Sequence, residues 1–522
     1  MARPHKTRTL TLVHFRERIE PTYPIASLTS GRIQATNDQQ VSRSDIFTRR
    51  PMTTDFDRIN QRLSAYGQEH LLRWWDELSN EAQQSLSQQI LSIDFDTIQA
   101  IWQQHQNANS VANSNDAVDR VAVAESPQSV VRQPASNEDH AEWNRYREIG
   151  EDLLSTGKIG VITVAGGQGT RLGFDQPKGM FPIGPVSQRT LFQVFAEQIQ
   201  ARRNRHSAAI PWLIMTSAAT HDSTIEFFQK NKYFGLGEGT VSFFQQGNMP
   251  AVDATSGKVL MADKSSICLS PDGHGGLVTA LDSSGLLKEL NVAGVEHLFY
   301  HQVDNPTVII CDPALLGVHH DRASDITTNV VRKRSPTERM GVLVDVNNCV
   351  EIIEYSELNE EQASRKDTNG DFVFWAGNTA IHVFSREFLS TLASGDGGLE
   401  LHIAHKAVPH IDKNATCVQP SEPNANKFER FIFDALPLSD SALIVEGDRN
   451  REFNPVKNAD GDDSPATSKA AISRIGREWL ALANCHVDDA KSVEISPLVA
   501  LDAEELSEKL RTGDVSAEDL ID

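Results

Sequence analysis

The stretch VITVAGGQGTRLGFDQPKGMFPIG at residues 161–184 constrains the fold more than any other part of the chain. It begins as a short apolar run and continues into a glycine-rich loop that contains Arg171 and Lys178. A buried strand that ends in such a loop is typical of the ligand-binding edge of an open α/β sheet. Glycines let backbone N–H groups turn toward a phosphate and leave room for it to approach. The pattern therefore predicts a phosphate-binding loop.

Two common phosphate motifs do not fit this loop. The dinucleotide pattern G-x-G-x-x-G would begin at Gly167 and Gly169, but Leu172 occupies the third glycine position. The P-loop pattern needs a lysine followed by Ser or Thr, whereas glycine follows Lys178. What remains is a phosphate cradle in which Arg171 supplies a planar guanidinium and Lys178 a point charge. The alternative is a tight surface turn with two solvated cations, which the buried strand before the loop disfavours.

The chain has 522 residues, which is too many for one hydrophobic core, so we expect two or three domains. Alternating strand-like and helical patterns predict an α/β fold with a Rossmann-like mixed central sheet covered by helices. A helical N-terminal unit and a small C-terminal domain flank it. The expected boundaries are 1–51 for a disordered extension, 52–104 for the helical unit, 105–138 for a linker, 139–455 for the catalytic domain and 456–522 for the C-terminal domain.

Period-2 alternation and apolar runs predict strands, and apolar residues at helical spacing predict helices. After the first strand at 159–167, the predicted strands are 211–217, 241–247, 296–303, 328–335, 341–346 and 374–384. The predicted helices are 141–158, 190–206, 221–235, 427–436 and 469–483.

The charge balance restricts the partners. The chain carries 49 Lys plus Arg against 71 Asp plus Glu, a net charge of -22, which argues against nucleic-acid polymers and anionic membranes as partners. A small anionic substrate is still compatible with this charge if its binding site concentrates cations.

The five cysteines lie far apart without a C-x-x-C pair, so we expect reduced thiols in a cytoplasmic protein, with neither disulfides nor a zinc site. No apolar run reaches signal-peptide or membrane-spanning length.

The loop AGGQGTRLGFDQPKGMFPIG resembles that of the eukaryotic-type UDP-N-acetylhexosamine pyrophosphorylases, within the wider UDP-sugar pyrophosphorylases. Further blocks in the family's order extend the resemblance from about Gly67 to Leu498; they include VSFFQQGNMPAVD, SPDGHGGLVTAL, FYHQVDNPTVIICDP, IIEYSEL, GNTAIH, NKFERFIFDAL and REFNPVKNA. The resemblance implies a fold of the nucleotide-diphospho-sugar transferase type and a Mg²⁺-assisted reaction of UTP with a sugar 1-phosphate. The products are a UDP-sugar and pyrophosphate. Such a reaction needs no side-chain nucleophile, which agrees with the lack of a convincing Ser-His-Asp or Cys-His set.

The resemblance also implies roles for individual residues. Gln246 would pair with the uracil edge, Lys427 would meet the triphosphate and Phe431 would pack beside the nucleotide. Asp304, at the end of an apolar strand, would hold magnesium with phosphate oxygens and waters. The remaining assignments are Ala165, Gly166, Gly167, Gly169 and Gly273 for the nucleotide, Arg171, Lys178 and Lys457 for catalysis, and His274, Glu354 and Asn378 for the sugar.

One residue departs from the acetylhexosamine pattern. His274 stands where that family usually has Asn, and the Gly-His-Gly turn looks more like the UDP-glucose pyrophosphorylases. We expect N-acetylglucosamine 1-phosphate as the preferred substrate, because most other blocks favour it. The alternatives are a UDP-glucose or broad-specificity UDP-sugar pyrophosphorylase and, from another class, an inactive nucleotide-sugar sensor. We expect a monomer or weak homodimer.

Overall fold

The structure is a computed structural model that describes residues 55–111, 120–395, 398–488, 490–516 and 520. The extension predicted to be disordered, 1–51, lies outside the described residues. The α-helices are α1 (Asp55–Ala65), α2 (Asn80–Ser92), α3 (Phe95–Val111), α4 (Arg120–Val123), α5 (Asn137–Ser155), α6 (Leu191–His206), α7 (His221–Lys230), α8 (Leu277–Ser283), α9 (Leu286–Val292), α10 (Pro313–Asp321), α11 (Glu360–Ala363), α12 (Arg386–Ser394), α13 (Arg449–Glu452), α14 (Pro465–Leu482) and α15 (Ala503–Thr512).

The strands alternate with these helices through most of the described chain. They are β1 (Val130–Val131), β2 (Ile159–Val164), β3 (Trp212–Thr216), β4 (Val241–Gln245), β5 (Asn248–Pro250), β6 (Val252–Asp253), β7 (Met261–Asp263), β8 (Ser266–Ile267), β9 (Leu269–Pro271), β10 (His297–Gln302), β11 (Ile326–Arg332), β12 (Val342–Val346), β13 (Cys349–Ile353), β14 (Ala376–Ser385), β15 (His402–Lys406), β16 (His410–Ile411), β17 (Cys417–Val418), β18 (Ala425–Glu429) and β19 (Ala442–Glu446).

The main sheet has the strand order β1-β19-β11-β14-β10-β2-β3-β4, with the β12–β13 hairpin attached to β14. Strands β10, β2, β3 and β4 are parallel, and β14 runs antiparallel to both of its neighbours, β10 and β11. The prediction of a mixed central sheet is therefore confirmed. In register, Tyr300 of β10 lies opposite Ile162 of β2, so the carboxyl ends of these two strands meet at one edge.

The sheet has a hydrophobic core on each face. Strand β2 is buried along nearly its whole length, as expected for a parallel strand that is covered on both sides. One core contains Phe192 and Phe195 of α6 against Trp212, and the other contains Leu277 and Leu281 of α8. These two layers fix the carboxyl edge of the sheet, where the loops are free to bind ligands.

Helix α5 leads into β2 and packs closely on α10. It begins with a capping box between Ser136 and Asp139, a typical helix start. A Cβ on Gly150 would overlap the backbone of Pro313, and one on Gly317 would overlap Tyr146. The two glycines therefore allow the helix backbones to touch. This contact fixes the direction in which the chain enters β2.

Strand β14 carries a bulge that matters for the site. Asn329 of β11 pairs with Ile381, but the next residue pairs with Asn378, so two residues of β14 are left over. One of them, Ala380, has a φ of 56°. Bulges bend a strand and change the direction of its side chains. In this one the Ala380 N–H donates to Asn378 Oδ1 at 2.9 Å, which holds the Asn378 side chain near the start of the strand.

The N-terminal helices α1–α3 pack around a core that includes Leu63, Leu86 and Ile90, as their spacing predicted. The same core includes Phe428 of β18. The linker prediction for 105–138 is wrong in part, because α3 continues to Val111 and β1 pairs in parallel with β19 of the main sheet. Two valines are too short a run to give a periodic signal, and the pairing with β19 decides their conformation.

Two predicted helices differ from the structure. The helix predicted at 427–436 is wrong: the chain forms β18, which pairs with β15, and then a 3-10 helix at Ile432–Leu438. The apolar residues of a short segment fit both the helical and the strand period, so the hydrogen-bonding partners in the tertiary structure decide which element forms. The helix predicted at 221–235 ends at Lys230, and Tyr233 and Phe234 follow in a left-handed conformation.

The C-terminal helices α14 and α15 have a core of their own with Leu480, Val493 and Leu506. Ion pairs join this part to α6, among them Arg205 Nη1 with Asp502 Oδ2 at 2.9 Å. The five cysteines are free thiols, as expected. In the described ranges, no helix is both long and apolar enough to cross a membrane.

Candidate active site

The glycine-rich loop leaves the carboxyl end of β2 and folds back on itself. The Ala165 N–H donates to the Met215 carbonyl at 2.7 Å, and Ser217 Oγ donates to the Gly166 carbonyl at 2.8 Å. The Lys178 N–H donates to the carbonyl of Gly167 at 3.1 Å. These bonds anchor the loop to the neighbouring strand and hold Lys178 beside the glycines.

A cavity of about 310 Å³ lies at the carboxyl edge of the parallel strands. Because β2, β4 and β10 end at the same edge, residues that follow them in the sequence meet there. A smaller cavity of about 100 Å³, between α6 and α14, contains none of the predicted site residues. The predicted residues that line the larger cavity are Gly166, Gly167, Lys178, Gln246, His274 and Asp304.

Gln246 lies against the glycine loop. Its backbone N–H donates to the Thr216 carbonyl at 2.9 Å, and its side chain is almost completely buried. A Cβ placed on Gly166 would lie 2.5 Å from Gln246 Oε1. Residue 166 must therefore be glycine for the amide of Gln246 to occupy this position.

His274 is held as a neutral ring in the turn after Gly273. Gly273 has a φ of 87°, and a Cβ there would overlap the backbone of Arg430. The backbone N–H of Ile432 donates to His274 Nδ1 at 3.1 Å, so the ring proton is on Nε2. Burial lowers the pKa of His274 to about 4, because a charged imidazole would lose its hydration. The ring therefore offers a cavity ligand a neutral N–H donor.

Phe431 packs beside His274, with ring centroids 5.6 Å apart. Its other neighbours are aromatic too: Phe433 stacks on it at 5.0 Å, and His402 lies 4.8 Å away. His402 Nε2 is 2.8 Å from Asp434 Oδ2, and this bond raises the pKa of the histidine. The aromatic group supports the turn that carries His274.

The predicted cations are distributed unevenly around the cavity. Lys178 lines it, and its amine has no ion-pair partner among the described residues. Arg171 is exposed on the loop and does not line the cavity. Lys427 lies on β18 outside the cavity lining. Burial raises the pKa of the Cys268 thiol to about 11, and the nearby charge of Lys427 acts in the opposite direction.

Lys457 reaches the same edge from the C-terminal part of the chain. The Val456 N–H donates to the carbonyl of Asp304 at 2.8 Å, which holds the adjacent Lys457 beside the end of β10. Lys457 Nζ lies 5.4 Å from the ring centroid of Phe453, which is a cation–π contact. The Asp304 carboxylate makes no ion pair within the described residues.

Glu354 and Asn378 meet at Gly341. The Asn378 N–H donates to the Gly341 carbonyl at 2.9 Å, and a Cβ on Gly341 would lie 2.8 Å from Glu354 Oε1. Burial and the charge of Glu357 raise the pKa of Glu354, while Lys457 acts in the opposite direction. The charge of Lys457 therefore acts on Glu354 and favours its ionised form.

The cavity also contains residues that the sequence did not single out: Val164, Pro271, Gln302 and Val303 line it. Gln302 could have been found, because it is the last residue of β10 and lies two positions before Asp304, at the strand end where ligand-binding residues are expected. No sequence pattern around Gly341 marked it as a site residue, since its role is to leave space for the side chain of Glu354, which follows β13.

The structure has the mixed α/β architecture of the nucleotide-diphospho-sugar transferases, with a glycine loop and a polar cavity at the carboxyl edge. A uridine diphosphate N-acetylglucosamine pyrophosphorylase from Trypanosoma brucei superposes with a TM-score of 0.75 at 27% identity, over 88% of this chain and 95% of that one. UDP-glucose pyrophosphorylase structures from Leishmania major share the fold at 18–19% identity.

The sequence comparisons give the family. The UDP-N-acetylglucosamine pyrophosphorylase of Saccharomyces cerevisiae is 35% identical over 85% of this chain and 94% of its own length. The human UDP-N-acetylhexosamine pyrophosphorylase-like protein 1 is 34% identical over 85% and 89%. The model of the UTP--glucose-1-phosphate uridylyltransferase family matches residues 104–508. The chain belongs to this family, and the resemblance and the enzyme class, a nucleotidyltransferase, are confirmed.

Proposed function

We propose that the protein transfers a uridylyl group from UTP to an N-acetylhexosamine 1-phosphate, with N-acetylglucosamine 1-phosphate preferred. The observation that carries the proposal is the cavity in which Gly166, Lys178, Gln246, His274 and Asp304 meet. The names of the yeast, human and trypanosomal relatives support the acetylhexosamine.

The proposed reaction is a single in-line displacement. An oxygen of the sugar phosphate forms a bond to the α-phosphorus of UTP, and the bond between that phosphorus and the α,β-bridging oxygen breaks. The electron pair leaves with pyrophosphate, so no proton has to move. The protein has to bring two polyanions together and offset their charge. No side-chain nucleophile is required.

We assign nucleotide binding to the loop and the turns beside it. The glycine backbone from Ala165 to Gly169 would receive the phosphates, and the Gln246 amide would pair with the donor and acceptor of the uracil edge. Gly273 lets the chain pass close to the base or ribose. Phe431 supports that turn through its contact with His274. The burial of Gln246 favours this assignment, since it preorganises the amide.

We assign charge neutralisation to the cations at the cavity. Lys178 is the best placed, because it lines the cavity without an ion-pair partner among the described residues. Lys457 would approach the sugar phosphate from the side of Glu354. Arg171 and Lys427 stay in the proposal as residues that would contact the triphosphate, which extends beyond the cavity.

The residues present fit a magnesium ion. Asp304 offers one carboxylate that makes no ion pair in the described part of the chain, and the Gln302 side chain lines the same cavity. Magnesium in nucleotide sites is held by one or two carboxylates together with substrate phosphates. When bound, the ion would neutralise phosphate charge, and Asp304 would hold it.

The sugar would lie against Glu354, Asn378 and His274. A carboxylate and an amide suit sugar hydroxyls and the N-acetyl group, and the neutral N–H of His274 adds a donor. The second candidate function is a UDP-glucose or broad-specificity pyrophosphorylase, which His274 within Gly-His-Gly favours. Reduced thiols in an acidic protein support a cytoplasmic enzyme, and we propose that it acts as a monomer or weak homodimer.

The test is pyrophosphate release from UTP and magnesium with a panel of sugar 1-phosphates. We expect the highest kcat/KM with N-acetylglucosamine 1-phosphate. A higher value with glucose 1-phosphate supports the second candidate. If no sugar releases pyrophosphate while UTP or UDP-sugar still binds, the protein is a nucleotide-sugar sensor instead.

A further inference from the structure

Three side chains with metal-binding atoms meet at the end of β10 opposite to the active site. Glu296 precedes β10, His297 begins it and His320 lies in the last turn of α10. Their ligand atoms all lie within 4.8 Å of one another. At about 3.3 Å per residue of strand, the cluster is about 20 Å from Asp304. The proposed reaction does not use it.

The two imidazoles are already at metal-binding separation. His297 Nε2 and His320 Nδ1 are 3.1 Å apart. Two nitrogens on one zinc ion, each at about 2.0–2.1 Å, lie roughly 2.9–3.4 Å apart for angles between those of octahedral and tetrahedral sites. An ion could therefore replace the hydrogen bond between the rings at nearly the same separation of the two nitrogens, once each ring turns so that its lone pair points at the ion.

A buried hydrogen-bond chain orients His297. Its Nδ1 lies 3.1 Å from His319 Nε2, and His319 Nδ1 lies 2.8 Å from Thr327 Oγ1. His319 and Thr327 have no solvent exposure. If each ring carries its proton on Nδ1 and donates along this chain, His297 Nε2 keeps its lone pair for a metal. Histidine ligands commonly have such a partner on the second nitrogen.

The charges around the cluster permit a bound cation, and one group, the amine of Lys158, opposes it. Glu296 pairs with Lys158 Nζ at 3.0 Å, and its second carboxylate oxygen can still bind an ion. Lys158 would repel the ion, whereas the net charge of -22 favours cations.

We propose that Glu296, His297 and His320 bind a divalent transition-metal ion such as Zn²⁺, with His319 and Thr327 as positioning residues. Two imidazoles and one carboxylate suit zinc, cobalt or nickel far better than magnesium or calcium. The site is separate from the proposed magnesium site, and its test does not depend on activity.

The experiment is a calorimetric titration of the chelator-stripped full chain with Zn²⁺ at pH 7.5, without nucleotide or magnesium. We expect one ion per chain at this site. His320→Ala should weaken its binding by at least tenfold, because an exposed ligand is lost without disturbing the core. Lys158→Met should tighten binding severalfold. His405→Ala, an exposed histidine on β15, is the matched control and should bind as the wild type does.

The positioning residues need a separate readout, the visible absorption of bound Co²⁺. Thr327→Val removes the hydroxyl at the end of the chain and should shift the Co²⁺ bands and weaken binding, whereas Thr327→Ser should restore both. Equal Zn²⁺ affinity in the wild type and His320→Ala would overturn the site. If His320→Ala weakens binding but Thr327→Val changes neither affinity nor spectrum, the positioning role is wrong.

Discussion

Replacing Gly166 by Ala should damage the site through one contact. The added Cβ would lie 2.5 Å from Gln246 Oε1, while its next neighbours, Gln246 Cδ and the Ser217 nitrogen, are at an ordinary 3.4 Å. The Gln246 amide must therefore retreat by about 0.5–0.9 Å to reach an acceptable separation. Gly166 does not have a positive φ, so Ala suits the backbone. The change should act on Gln246 and leave the fold intact.

The size of the effect follows from the hydrogen bonds at stake. An amide that pairs with the uracil edge makes two hydrogen bonds, and each contributes a net free energy of about 0.5–1.5 kcal/mol. Losing both would cost about 1–3 kcal/mol, which corresponds to a rise of roughly 5- to 150-fold in the KM for UTP. We expect the KM for the sugar 1-phosphate and the melting temperature to change little.

The assay is a double-mutant cycle on the KM for UTP. Gln246→Ala alone should raise it by a similar factor, because it removes the same hydrogen bonds. Adding Gly166→Ala to Gln246→Ala should then have almost no further effect, since the clash has lost its partner. If the two effects multiply, Gly166 does not act through Gln246, and if Gln246→Ala leaves the KM for UTP unchanged, the proposed contact with uracil is wrong.

Four further predictions test other parts of the site and the fold. Lys178→Ala should lower kcat by about 10²–10³ with an unchanged melting temperature; turnover within threefold of wild type contradicts its role. Asp304→Asn should remove most activity and change the magnesium dependence, and a wild-type magnesium midpoint would make it a structural residue. Gly341→Ala should raise the KM for the sugar 1-phosphate by displacing Glu354, with the KM for UTP as the control. Burial lowers the pKa of His301 to about 4, so unfolding takes up a proton below pH 6.5 and this residue removes about 2 kcal/mol of stability between pH 6.5 and 5; urea unfolding of His301→Gln should depend less steeply on pH, and an equal slope contradicts this.

Several site residues could be predicted because their positions depend on local sequence. Gly166 and Lys178 follow β2, Gln246 follows β4 and Asp304 follows β10. Each apolar run predicts a buried strand, and parallel strands place their carboxyl ends at one edge. The family resemblance assigned these residues to one site, and their places after the strands explain why they can meet. The structure brings all four into one cavity.

The segment 427–436 could not be read in the same way. Phe428, Phe431 and Ile432 are spaced as on one helix face, which suggested a helix. In the structure, β18 forms because β15 supplies hydrogen-bonding partners, and Phe428 packs into the core of the N-terminal helices. A sequence window contains neither partner. As a result Lys427 lies on a strand outside the cavity lining.

By itself the sequence determined the strand that enters the glycine loop, the cations placed on that loop and the polar residues at the strand ends. These features depend on side-chain periodicity and on glycine's conformational freedom, which act over a few residues. The tertiary structure decided that Lys457 lies beside Asp304, because a backbone hydrogen bond from Val456 joins segments far apart in the chain. It also decided that His297 meets His320. Only the packing of α10 against the sheet places His297 Nε2 3.1 Å from His320 Nδ1.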